Sequence, residues 1–188
     1  QEITQYDPWV VREALHNAIA HQDYRRHGRI LVIEFPDRVL VTNVGDFLPG
    51  DVETVIRQDA PQAIYRNPFL ADAMVELNLI DTQGGGIKRM FETQRRRSFP
   101  LPDYDLSDPG EVSGSVTGRI LDERYTRLLM EETGLTLQQV MLLDRVQKKQ
   151  PIAREEHRQL KSAGLVEARF PSIMVSGKLA KATGSAGR

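Results

Sequence analysis

Glu13 and Asn17 stand four residues apart in the run Arg12-Glu13-Ala14-Leu15-His16-Asn17-Ala18-Ile19-Ala20-His21-Gln22-Asp23-Tyr24. On a helix that spacing stacks them on one face, while Leu15, Ala18 and Ile19 turn another face to a core. A carboxylate beside a neutral amide suits a particular chemistry. The Asn oxygen can ligate Mg²⁺, which prefers hard oxygen donors and keeps waters, and the Glu can orient or deprotonate a water for attack on phosphate. A surface Glu and a satisfied Asn on an amphipathic helix fit the same spacing. Gln83-Gly84-Gly85-Gly86-Ile87 supplies a second constellation. Glycines before a helix let the backbone approach a ligand closely, and the free N–H groups at the helix start attract phosphate. Lys88 and Arg89 add positive charge just inside that helix, although helix entry or loop flexibility also accounts for the triplet. Neither a Walker A pattern nor GxGxxG after a strand is present, which excludes P-loop and Rossmann readings. His16 and His21 are five apart with no HExxH pattern around them, so they read as packing or hydrogen-bonding residues rather than zinc ligands.

The elements that must position these groups are legible along the chain. Asp7 as N-cap, Pro8 at the first helical position and a stripe of Trp9, Val10, Val11, Ala14, Leu15, Ala18 and Ile19 predict a helix over 8–22. Residues 29–35 and 38–42 are rich in β-branched and apolar types with Pro36-Asp37 between them, which predicts a hairpin ending at Asn43-Val44-Gly45. Gly45, Pro49, Gly50, Pro61 and Pro68 then punctuate an irregular stretch with short helices at 51–57 and 68–78. The glycine triplet opens a helix over 87–96, and the alternating residues 112–121 read as a closing strand. Arg95-Arg96-Arg97 complement the dipole at that helix's end, or contact nucleic acid.

The last third carries a different signal. Helical patterns over 123–133, 136–149 and 153–163 precede two short strands at 165–169 and 173–175. Thr136 can cap a helix whose Val140, Met141, Leu143 and Val146 face inward, and Pro151 breaks it. The next helix would bury Leu160 and turn Arg154, His157, Arg158 and Lys161 outward. Helix, turn, helix, Gly164 and a two-stranded wing predict a winged helix-turn-helix, its second helix placed for the major groove and Arg169 reaching DNA from the wing. Winged helices also serve protein contacts or dimerisation, and Glu155 and Glu156 oppose the DNA reading on charge grounds.

Composition agrees with two modules. Of 188 residues, 40% are hydrophobic and 27% charged, as in ordinary globular proteins rather than disordered or collagenous ones. The absence of cysteine excludes disulfide scaffolds, zinc-finger frameworks and thiol catalysis. No apolar run reaches the roughly 20 residues of a membrane span and no signal-peptide pattern occurs, so a cytoplasmic protein without a membrane partner is expected. The chain starts at Gln1 rather than Met, which predicts a piece of a longer protein. The net charge of −1 is unevenly spread: residues 1–118 carry 12 Lys/Arg against 18 Asp/Glu, and residues 119–188 carry 13 against 8.

Taken in order, the Glu-x-x-x-Asn helix, paired strands, Asn-x-Gly, irregular lid and glycine turn resemble the GHKL ATPases, the group of gyrase, the heat-shock chaperone, histidine kinases and MutL. More closely, Arg12-Glu13-Ala14-Leu15, Asn17-Ala18, His21-Gln22-Asp23-Tyr24, Asp37-Arg38-Val39, Asn43-Val44-Gly45, Leu48-Pro49-Gly50, Arg66-Asn67-Pro68 and Gly84-x-Gly86-Ile87 are similar to the RecG-related transcriptional regulators. That family has a divergent GHKL domain, commonly preceded by an AlbA-type or Schlafen-like DNA-binding domain, and some members end in a winged helix. The resemblance covers roughly residues 6–122. It implies an α+β, Bergerat-type α/β sandwich over 1–120, a winged helix over 121–178 and a flexible tail over 179–188. It also implies bound ATP and Mg²⁺: Glu13 as general base, Asn17 on Mg²⁺, Asn43 and Gly45 on the adenine side, and Gly84, Gly85, Gly86 and Lys88 on the phosphate side. The function expected is an ATP-binding, DNA-binding regulator whose nucleotide state controls lid order and homodimer contacts. The alternative is a nucleotide-free scaffold for protein interaction or dimerisation. Three departures stand out. Asn43 replaces the usual Asp, Phe47 replaces a glycine, and Gln22 replaces the arginine of His-Arg-Asp-Tyr.

Overall fold

The computed structural model describes residues 4–58, 65–80, 85–167 and 173–175. They form two units: Gln1–Gln94 with Pro102–Arg119, and Arg95–Leu101 with Ile120–Arg188.

The first unit is built on α1 (Pro8–His21). Its start is fixed by the Asp7 carboxylate, which accepts from Trp9 N at 2.9 Å and Val10 N at 3.2 Å, two of the donors a helix start leaves unpaired. Four antiparallel strands, β1 (Leu31–Glu34), β2 (Arg38–Val44), β3 (Asp103–Asp105) and β4 (Glu111–Thr117), lie in the order β1-β2-β4-β3. The closing strand is thus not at an edge. It pairs with β2 along its whole length, Arg38 opposite Thr117 and Val44 opposite Glu111, and β3, which sequence reading missed, pairs with its other side. β4 also stops at Thr117 rather than continuing to 121, because Gly118 N turns to donate to Asp37 O at 2.9 Å. Period-2 alternation buries Val39 and Val41, which pack with Ala18 of α1, and Val10, Met90 and Val116 form a second cluster with Trp9 and Ala14 against it. Burying one such valine contributes roughly 1.5–3 kcal/mol. Short helices α2 (Val52–Arg57), α3 (Pro68–Glu76) and α4 (Gly86–Arg96) complete the unit.

In the second unit, α5 (Glu123–Glu131), α6 (Leu137–Gln147) and α7 (Arg154–Ser162) precede a two-stranded antiparallel ribbon, β5 (Val166–Glu167) and β6 (Met174–Val175). Thr136 and Gln139 cap α6 reciprocally, Gln139 N donating to Thr136 Oγ1 at 3.2 Å and Thr136 N to Gln139 Oε1 at 2.8 Å. Val140, Leu143 and Val146 are buried as expected; Leu142 joins them, and Met141 is only half-buried.

Residues 95–101 belong here through specific bonds. Arg95 donates to Leu135 O, Thr126 Oγ1 donates to Ser98 O at 3.2 Å, and Leu101 N donates to Asp144 Oδ1 at 2.9 Å. The Arg97 guanidinium lies 4.6 Å from the centroid of the Phe99 ring. Arg95 and Arg97 therefore have intramolecular partners beyond the helix dipole. Among the described residues no helix is long and apolar enough to cross a membrane. The expected tail and the segment carrying Arg169 lie outside the described residues.

Candidate functional site

Alpha-helical spacing on α1 places Trp9, Glu13, Asn17 and Ala20 along one side of a cavity of about 330 Å³, within the size range of small-molecule sites. Asn17 Nδ2 donates to Glu13 Oε1 at 3.2 Å, so the two groups stand side by side as their spacing predicts. That bond fixes the amide's orientation and leaves its oxygen as the acceptor.

Gly86 begins α4 directly against the pair. A Cβ at this position would fall 1.8 Å from Glu13 Oε1 and 2.8 Å from its Cδ, so the carboxylate takes the space that any side chain at residue 86 would fill. Gly85, with φ of +84°, and Ile87 also line the cavity. Gly84 lies outside the described residues. Lys88, in the first turn of α4, is half-buried and is not among the residues that line the cavity.

Asn43 lies within β2 rather than in a loop, and its buried side chain meets the cavity beside Val41 and Val112. Its Nδ2 points to Val44 O at 3.4 Å, a long contact that favours the carbonyl oxygen as the free acceptor. Gly45 does not line the cavity. It has φ of +128° and a backbone N that donates to Gly110 O at 2.8 Å, and a Cβ there would approach Arg66 Nε to 3.3 Å. Its glycine is a requirement of that turn.

Aromatic rings make up much of the remaining wall. Phe47 and Tyr104, on the loop after β2 and on β3, meet at 6.2 Å and 46°, and His21 stacks on Tyr65 at 6.0 Å and 13°. Phe47 lines the cavity, so the replacement of glycine there puts a ring into it. Burial, and then the nearby Glu13 carboxylate, raise the Tyr104 phenol well above its ordinary value, so Tyr104 is a neutral donor or acceptor. Burial lowers the His21 imidazole, with Arg66 adding repulsion, so it favours the neutral form. His16 serves packing: its Nδ1 meets Leu79 O at 2.7 Å.

The motifs around His21 and Arg66 form a clasp. Arg66, with an 11% exposed side chain, donates from Nε to His21 O at 3.1 Å and from its terminal nitrogen to Asp46 Oδ1 at 2.7 Å, and its other terminal nitrogen approaches Asp23 Oδ2 to 3.8 Å. Asp46 is held below the usual carboxylate range by that guanidinium. Asn67 stands at the N-cap of α3, yet its Nδ2 donates to Ala20 O at 3.0 Å and Gln22 O at 2.8 Å, satisfying carbonyls at the end of α1. Gln22 accepts from Val44 N at 2.8 Å and donates to Gly28 O at 3.0 Å. An arginine could donate but not accept there, so the departure at residue 22 fits this chain's strand end. Sequence reading missed the roles of Trp9, Arg12, Tyr65 and Tyr104 at the cavity. Only the placing of Trp9 and Arg12 on the helix with Glu13 gave a signal.

In the second unit Arg154, Arg158 and Lys161 are exposed on α7. Arg158 pairs with Glu155, and Glu156 accepts from Ala153 N at 2.6 Å as part of the helix cap, so both glutamates have local functions.

Residues 27–113 match the family described as "Putative ATP-dependent DNA helicase recG C-terminal". The match supports a RecG-related, ATPase-like domain in the first unit; it begins after α1, and so does not include Glu13 or Asn17. No curated protein matches the chain. The crystal structure of the DIP2311 protein from Corynebacterium diphtheriae is similar at a TM-score of 0.56 and 21% identity, over 96% of this chain and 43% of that one. The chain spans less than half of that protein, and at this identity the likeness is one of fold.

Proposed function

We propose that the first unit is a Mg-ATP-binding module of a bacterial, cytoplasmic transcriptional regulator. The observation that carries this reading is the Glu13–Asn17 pair at 3.2 Å, set in the cavity with Glu13 Oε1 against Gly86 at the start of α4. Asn43 offers a buried acceptor suited to an exocyclic amine, and α4 begins at the cavity wall with Gly86, where a helix start suits phosphate.

The donor set fits Mg²⁺ that comes with the nucleotide. Among the described residues no group of three or more His, Cys, Asp or Glu is placed to hold a metal by itself, and the Asn17 oxygen is a single hard donor. When bound, the ion would neutralise phosphate charge. Glu13 would orient a water and accept its proton, and the Asn17 amide hydrogen bond holds that carboxylate in position. Isothermal titration with Mg-ATP tests the module: saturable binding is expected, and no saturable heat at millimolar nucleotide refutes it.

For the second unit we propose a winged helix that meets DNA through Arg154, Arg158 and Lys161. Its support is the order α6, turn, α7, ribbon and the exposure of those three cations. Duplex binding should weaken steeply with salt, and absence of binding at low salt would favour a protein-interaction or homodimer role. One feature favours a nucleotide-free scaffold instead. Phe47, in place of a glycine, puts its ring against the cavity.

A further inference from the structure

Arg12 precedes Glu13 on α1, lines the cavity and is exposed. Other arginines of this unit stand against carboxylates: Arg57 with Glu53, Arg38 with Asp37, Arg66 with Asp46 and Arg25 with Asp23. Arg12 has Pro8, Trp9, Leu15 and His16 at helical spacing and no acidic neighbour there. Among the described residues nothing pairs with it.

The charges around the cavity make that isolation consequential. Asp46 is matched by Arg66, and among the described residues Arg12 is the one Lys or Arg that lines the cavity. Arg89 is occupied over the Trp9 ring at 4.2 Å, and Lys88 does not line the cavity. A polyanion held in the cavity needs cationic donors, and a planar guanidinium with forked donors matches a phosphate's oxygens.

We propose that Arg12 is the residue that makes this cavity select polyphosphate: it takes the terminal phosphate of a nucleotide at the mouth while the base lies within. The inference rests on the nucleotide reading of the same site. Its test uses the full chain and the variants R12A and R12K, with ATP, adenosine and inorganic tripolyphosphate as titrants. R12A is expected to weaken ATP and tripolyphosphate by about 10- to 100-fold, the range of a charge-assisted hydrogen bond, and to leave adenosine within about twofold. R12K should recover part of the charge effect and flatten the salt dependence less than R12A does. Unchanged thermal unfolding of both variants keeps the comparison valid, because an exposed arginine without partners has little structural role. If R12A binds ATP as the parent does, or loses adenosine equally, the role of Arg12 is overturned and the nucleotide reading stands. If the parent binds tripolyphosphate but neither ATP nor adenosine, and R12A loses it, Arg12 stands and the nucleotide reading falls. If the parent binds none of the three, both fall.

Discussion

Asp144→Ala removes a carboxylate that accepts from Leu101 N at 2.9 Å and Gln147 Nε2 at 2.7 Å and pairs with Lys148 Nζ at 2.6 Å. The side chains of Asp144 and Lys148 are only 6% and 7% exposed, so the ammonium left behind would be poorly solvated. Removing one partner of a buried ion pair costs about 3–5 kcal/mol, a range that includes orphaned neighbours such as the Leu101 amide. Lys148 Nζ keeps Leu101 O as an acceptor at 2.7 Å, which argues for the lower end, about 3 kcal/mol. With a urea slope of about 2 kcal/mol/M, the unfolding midpoint of the second unit should fall by about 1.5 M. Far-UV circular dichroism is the appropriate readout, because Trp9, the single tryptophan, belongs to the first unit. The double variant Asp144→Ala/Lys148→Met removes both members of this pair and should be more stable than Asp144→Ala alone. A loss below about 1 kcal/mol for the single variant, or a double variant that is worse still, would refute the reasoning that Asp144 anchors residues 95–101.

Other perturbations test the first unit. Gly86→Ala should leave stability within about 1 kcal/mol of the parent, since the gain in helix propensity offsets a displaced Glu13 side chain, yet weaken Mg-ATP binding by calorimetry. Asp7→Ala should cost about 1 kcal/mol in chemical denaturation through loss of the α1 cap. His21 has a folded pKa below its ordinary value of 6.5, so the unfolded chain binds the extra proton first. Its contribution is therefore complete above about pH 6.5 and lost as pH falls below it; His21→Gln should lessen the parent's decline in stability over that interval. Arg66→Ala should cost at least about 2 kcal/mol, because the His21 carbonyl and Asp23 lose a nearly buried partner.

What the sequence made legible was mostly local. Asp7-Pro8 ahead of a helical stripe marks the start of α1, Pro36-Asp37 marks a hairpin, and Thr136 with Gln139 marks the start of α6, because each signal and its consequence lie within a few residues. The Glu13–Asn17 contact was legible for the same reason. By contrast, β3 is three residues of Asp-Tyr-Asp that become a strand only beside β4, where Gly114 leaves room for the Tyr104 ring at 3.4 Å from a virtual Cβ. Gly45 reads as a ligand-loop glycine by its motif but serves a turn packed on Arg66, some twenty residues on. The assignment of residues 95–101 to the second unit depends on Asp144, Leu135 and Thr126, partners that no local pattern announces.

The central position of β4 has a consequence for synthesis. When Val44 emerges from the ribosome, β2 already has its hairpin partner β1 on one side, but the strand for its other side is still unmade. At roughly 5–20 residues per second, Thr117 follows roughly 4–15 s later. Throughout that interval a ladder edge carrying Val39 and Val41 is open to mispairing, so nascent chains halted before residue 111 should be the form most dependent on chaperones.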